Sequence, residues 1–237
     1  MKKKYTFLKT GIIILACVTS GFVLSPTHNY PIDADAELVV SEFKMRVIGN
    51  NEYHFSKAYS TFYSNGYSNI TKTFNGFLSV DDRPLAYSRI DTTYKSSFDS
   101  LLMLSNNYTW EFMDLTDTNN LMRFTTTKAI NRLTNVDLTT INSISKSSGF
   151  SFTHPLIQAD SIVYVIGADS LTSVRKRLFS QSTGVMFTPS ELNGLNNTTT
   201  GAFLMIVFNM MPQTYNGKKY YFQNNSIATV MPLPINN

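Results

Sequence analysis

Ala202-Phe203-Leu204-Met205-Ile206-Val207-Phe208 is a continuous apolar run in the C-terminal half of the chain. It is too short to cross a bilayer, and a run of this length reads as a central strand with both faces buried. Downstream, Asn216-Gly217 makes a turn into Tyr220-Tyr221-Phe222, and Pro232 and Pro234 are expected to end the ordered chain. Upstream, Ile162 to Ile166 is a compact run rich in β-branched residues, which reads as a second buried strand.

Between these two strands the pattern changes. Asp169 or Ser170 stands where a helix cap would, and Leu171, Val174, Leu178 and Phe179 fall on one helical face. Arg175, Lys176 and Arg177 lie mostly off that face, and Gly184 is placed to stop the helix. A shorter helix is expected from Asp137, with Leu138, Ile141 and Ile144 on one side and its end near Gly149. Ser96 to Leu104 is ambiguous, with Phe98, Leu101 and Leu102 fitting a helix face.

The first half reads as antiparallel β. Phe43, Met45 and Val47 alternate with Glu42, Lys44 and Arg46, the signature of a half-buried strand. Tyr53 to Tyr63 is rich in aromatics, and Asn65-Gly66 signals a hairpin. Phe77 to Val80 is strand, Asp81-Asp82-Arg83-Pro84 a turn, and Tyr87 to Tyr94 a return strand. Tyr108, Trp110 and Phe112 alternate again, and Leu121 to Thr127 follows as strand. The sum is a β-rich α+β fold, largely an antiparallel sheet, with two or three helices in the C-terminal half. No internal repeat is visible.

The N-terminus has a different design. Lys2, Lys3 and Lys4 precede a mostly apolar stretch, strongest from Ile12 to Val18, and Pro26 follows it. That order is an export signal or membrane anchor. Three readings stand: a cleaved signal peptide, a lipoprotein in which Cys17 of Ile14-Leu15-Ala16-Cys17 carries the lipid, and a retained anchor. Residues 1–24 are thus the leader, 25–36 a tether, and 37–237 a single extracytoplasmic domain. The location implied is periplasm, cell envelope or exterior, with membrane contact through the leader if it is retained.

Composition narrows the functional classes. The chain has 237 residues, 43% of them hydrophobic and 13% aromatic, enough for a core. Its formal charge of +4 is matched by Lys2, Lys3, Lys4 and Lys9, so the folded part has no basic surplus for nucleic acid. The single cysteine, Cys17, lies in the leader, so the exported part forms no internal disulfide and no thiolate zinc site.

Motifs for chemistry are sparse. His154 precedes Pro155 in an expected loop and is the candidate catalytic base, with Asp160 near in sequence; a locally hydrogen-bonded histidine is the plainer reading. No Gly-x-Ser-x-Gly elbow and no metal-ligand spacing is present, and Asp114, Asp117, Asn119 and Asn120 lack the alternation of a calcium loop. No cofactor and no metal is expected. Two candidate binding surfaces remain: the aromatic segment Tyr53, Phe55, Tyr59, Phe62, Tyr63 and Tyr67, whose tyrosines suit protein or glycan recognition, and Arg175-Lys176-Arg177, which suits an acidic partner or lipid head groups. The sequence therefore points to an exported, non-enzymatic protein that binds a protein or glycan partner. A membrane-tethered regulator or secretion accessory and a hydrolase using His154 are the alternatives.

Overall fold

The computed structural model describes residues 35–49, 52–63, 76–88, 93–96, 107–114, 121–169 and 172–237. The leader, Cys17, the Asn65-Gly66 turn, Tyr67, residues 97–104 and the Asp117 to Asn120 loop lie outside them. Thirteen strands follow in chain order: β1 (Ala36–Val47), β2 (Glu52–Phe62), β3 (Gly76–Val80), β4 (Arg83–Pro84), β5 (Ala86–Ser88), β6 (Thr93–Lys95), β7 (Thr109–Asp114), β8 (Leu121–Thr125), β9 (Ile144–Ser145), β10 (Phe150–Gly167), β11 (Ser173–Phe187), β12 (Thr198–Tyr215) and β13 (Lys218–Asn236). The one described helix, α1, is Pro189–Leu192.

Among the described residues the strands form two sheets. The large one runs β11-β10-β12-β13-β1-β2-β6-β5, with β9 added beside β13. The small one runs β4-β3-β7-β8. Ala202 to Phe208 falls in β12, an interior strand between β10 and β13, and all seven residues are buried. Asn216 and Gly217 close the β12–β13 hairpin with φ of 49° and 73°, the paired positive values of a type I′ turn.

The C-terminal helices expected from sequence are not there. Residues 173–187 form β11, antiparallel to β10. The reason is a coincidence of periods: Val174 and Leu178, four apart, share a face in a helix and also in a strand. Both pack against the core from β11, while Phe179 points away and is 65% exposed. Gly184 is not a helix stop; it sits inside the hairpin opposite Thr153. The second expected helix, after Asp137, is a series of turns. The Asp137 carboxylate accepts from the Thr139 N–H and hydroxyl at 2.8 and 2.6 Å, a local turn that competes with a helix start. Its apolar residues Leu138, Ile141 and Ile144 are nevertheless all buried. The chain also does not end its order at Pro232 and Pro234; β13 runs through both, pairing at Leu233 and Ile235.

The large sheet has two distinct faces. On the front, the small sheet lies over β13, β1 and β2 in a sandwich. Trp110 and Phe124 meet Phe222, and Phe112 meets Tyr220, with ring centroids 4.2 to 6.4 Å apart. Beyond the small sheet, residues 133–141 continue the cover, and Leu133, Val136, Leu138 and Ile141 join Ile162, Ile166, Phe203, Met205 and Val230. Lys44 Nζ donates to the Val136 carbonyl at 2.7 Å and Arg46 to that of Leu138 at 2.7 Å, so β1 fastens this segment through carbonyls that lie outside any strand or helix.

Candidate functional site

The back face of the large sheet can be read directly from strand register, since directly paired residues point to the same side. One row runs Arg177, Val163, Ile206, Ile227, Phe43, Phe55 from β11 to β2. The next runs Arg175, Val165, Leu204, Thr229, Met45, Tyr53. On the other side of the first, Phe179, Ser161, Phe208, Asn225, Ser41 and Lys57 align. Further along, Met210, Gln223, Val39 and Tyr59 form a shorter row.

This register brings together residues far apart in sequence. Tyr53 and Tyr59 stand at the β2 end of these rows, one rim of the face they form, with Phe55, which stacks on Phe43 at 4.6 Å; β6 pairs beyond Tyr59. Tyr63 belongs to the same side: its hydroxyl donates to Glu37 Oε2 at 2.9 Å, and Glu37 lies opposite Thr61, two residues on from Tyr59. Arg175 and Arg177 stand on the opposite rim, with the Arg177 guanidinium 4.9 Å from the Phe179 ring centroid and donating to Ser161 Oγ at 3.1 Å. Burial, then the Arg177 charge, lowers the Arg175 pKa from its ordinary value. Lys176 leaves the triplet. Its side chain turns to the other side, 2.8 Å from Glu191 Oε1 and 5.3 Å from the Phe187 ring centroid.

Between the rims lies a stripe of Phe43, Val163, Val165, Ala202, Leu204, Ile206, Phe208, Ile227 and Met231. Its members are buried, and among the described residues the cluster draws on side chains of the large sheet alone. Beside the stripe is a polar band. Gln223 donates to Glu37 at 3.3 Å and Asn225 to Gln223 at 3.4 Å, while the Asn225 Oδ1 acceptor, buried, has no partner among the described residues.

His154 is not in a loop but inside β10, where the register with β11 shifts between Thr153 and Ile157. Its Nδ1 lies 2.7 Å from the Pro155 carbonyl, so that nitrogen carries the proton and donates. Nε2 then accepts from the Tyr164 hydroxyl at 2.6 Å, and Tyr164 meets Ser182 Oγ at 2.8 Å. Ser182 is tied in turn to the backbone of Gly184. Burial lowers the His154 pKa, favouring the neutral ring, and burial raises that of Tyr164. Asp160 is elsewhere. It bulges out between Ala159 and Ser161, where its carboxylate holds Lys128 at 2.7 Å and accepts from the Met210 N–H at 2.7 Å. The imidazole thus has a carbonyl and a phenol as its hydrogen-bond partners, with no carboxylate to orient it as a base. The chain His154–Tyr164–Ser182 ties a bulged hairpin together.

Sequence reasoning named Phe55 with the tyrosines of its segment but missed Phe179, Gln223 and Asn225 as members of the same face. Only cross-strand pairing assembles them, although the alternation of Gln223, Asn225, Ile227 and Thr229 along β13 is a period-two signal. Among the described residues no group of three or more His, Cys, Asp or Glu could hold a metal ion, and no helix is long and apolar enough to cross a membrane. No protein-family model matches the chain, and no curated protein matches it.

Proposed function

We propose that this chain is an exported, non-enzymatic binding protein, and that it holds a protein partner on the back face of its large sheet. Convergence carries the reading: Tyr53, Phe55 and Tyr59 on one rim and Arg175, Arg177 and Phe179 on the other share a face. Tyrosine and arginine are the residue types that dominate binding energy at protein interfaces. The rims are five strand spacings apart, roughly 24 Å, and Tyr53 to Thr61 spans about 26 Å along β2. Rims this far apart suit a protein surface, which can touch both, better than one sugar ring. The lysine-led apolar leader supports export.

Photo-reactive residues placed singly at Tyr53, at Phe179 and at the exposed Thr140, on the segment that covers the front, test this in cells that express the full chain. The same protein should be captured from both rim positions and not from Thr140. Capture of glycan alone, or equal capture from Thr140, would overturn the assignment.

A further inference from the structure

We propose that β11 takes up an extended acidic protein segment, which adds to the large sheet as a further strand along Ser173–Phe179. This deepens the reading of the back face as a partner site and rests on it: the segment belongs to the partner and is the part that meets the arginine rim.

The edge comes first. β11 ends the large sheet, and among the described residues it pairs with β10 alone. From Ser173 opposite Gly167 to Phe179 opposite Ser161 the ladder runs without a register shift. It breaks at Ser180, where φ is 69° and the register with β10 slips. Ser173–Phe179 is therefore plain strand, with no proline and no bulge. Its side chains stay open with the whole chain in place: Ser173 and Arg175 are exposed, and Phe179 is 65% exposed. An edge of this kind offers main-chain donors and acceptors to a strand from another chain. β5, at the other end of the sheet, is Ala86–Ser88, too short to offer the same.

Charge then selects the occupant. Arg175, Arg177 and Phe179 follow one another on the back side, each roughly 7 Å from the next. Lys176 faces the other way and lies 2.8 Å from Glu191 Oε1, so the charge on the back side of this edge is that of the two arginines. The Arg177 guanidinium is held in place by the Phe179 ring and by Ser161 Oγ. A guanidinium takes a carboxylate through paired, charge-assisted hydrogen bonds. A second copy of this chain is the wrong occupant: β11 paired antiparallel with itself over Ser173–Phe179 puts Arg175 opposite Arg177 and Lys176 opposite Lys176. The partner's pattern follows from period two. Acidic residues two apart meet Arg175 and Arg177, and an apolar residue two further on meets Phe179.

The probes are fluorescein-labelled peptides Thr-Glu-Thr-Glu-Thr-Val-Thr and its reverse, read by fluorescence anisotropy against the chain that begins at the N-terminus of the exported protein. At least one direction should bind about tenfold more tightly than a peptide of the same composition with its two glutamates adjacent, which sends one carboxylate to the other side. Arg175→Ala and Arg177→Ala should each weaken it about tenfold, and Lys176→Ala by less than about twofold. Two arginine positions keep the test open if one variant folds poorly. Methylating one set of alternate peptide nitrogens should abolish binding, and methylating the other set should not. No binding in either direction at about 1 mM peptide, equal affinity for the adjacent-glutamate peptide, or equal effects of the two methylated sets would each overturn the acidic strand. Arginine-dependent binding to phosphatidylglycerol vesicles without peptide binding would overturn it in favour of a lipid surface. Photo-capture that persists without peptide binding removes the strand and leaves the partner; peptide binding without photo-capture from both rims removes the two-rim partner and leaves the edge.

Discussion

Replacing Tyr164 by Phe removes one oxygen from the interior and leaves the shape of the side chain intact. That oxygen holds His154 Nε2 at 2.6 Å and Ser182 Oγ at 2.8 Å, and Tyr164 is fully buried. Ser182 keeps its contacts to Gly184. His154 does not keep a partner at Nε2, because its other nitrogen is engaged by Pro155. Each lost hydrogen bond is worth about 1 kcal/mol, and a buried acceptor left alone costs about 1 to 3 kcal/mol. The expected loss is therefore about 2 to 4 kcal/mol, a large share of the roughly 5 to 15 kcal/mol that holds a domain together. Urea denaturation followed by tryptophan fluorescence reads it, since Trp110 is fully buried in the core. The midpoint should fall with the slope unchanged. A variant within about 0.5 kcal/mol of the parent would refute the claim that this chain of polar groups ties the hairpin.

The lowered pKa of His154 sets a pH dependence. Its pKa is lowered by burial from 6.5, so the unfolded chain binds the proton more tightly; stability is full above that value and declines as pH falls below it. His154→Gln should flatten that decline in urea midpoints taken between neutral and mildly acid pH, and an unchanged profile would remove His154 as its source. Ile206→Asp places an unpaired carboxylate on an interior strand at a 1% exposed position, and the purified chain should fail to give a cooperative melt; melting like the parent would contradict the position of β12. Gly184→Ala should destabilise by more than about 1 kcal/mol, because φ is +154° and an added Cβ would run into the Phe152 carbonyl; a neutral result in thermal denaturation would contradict the hairpin geometry.

What the sequence revealed, and what it hid, follows from the range of the interactions. Ala202 to Phe208 could be read as an interior strand because length and continuous apolarity are local properties. The Asn216-Gly217 turn was legible because its two positive φ values demand those residue types. Residues 173–187 misled because a spacing of four satisfies both periods; the exposed Phe179 beside the half-buried Leu178 was the discordant detail. The Asp137 segment misled because its carboxylate caps a turn as readily as a helix. The candidate site was legible only in pieces. Tyr53, Tyr59, Arg175 and Arg177 could be named from residue type, but their common face is a property of register across six strands. The split of Lys176 from its neighbours follows from period two once the segment is a strand.

The central claim is that both rims of one sheet face engage one partner. Titration calorimetry of the photo-captured partner against the parent chain, Tyr53→Ser, Phe179→Ser and the double variant tests it most directly, with each chain ending at the N-terminus found in the exported protein. Each single variant should weaken binding about tenfold, near 1.4 kcal/mol, and the double variant by about the sum. Parent-like affinity in all three variants would contradict the account.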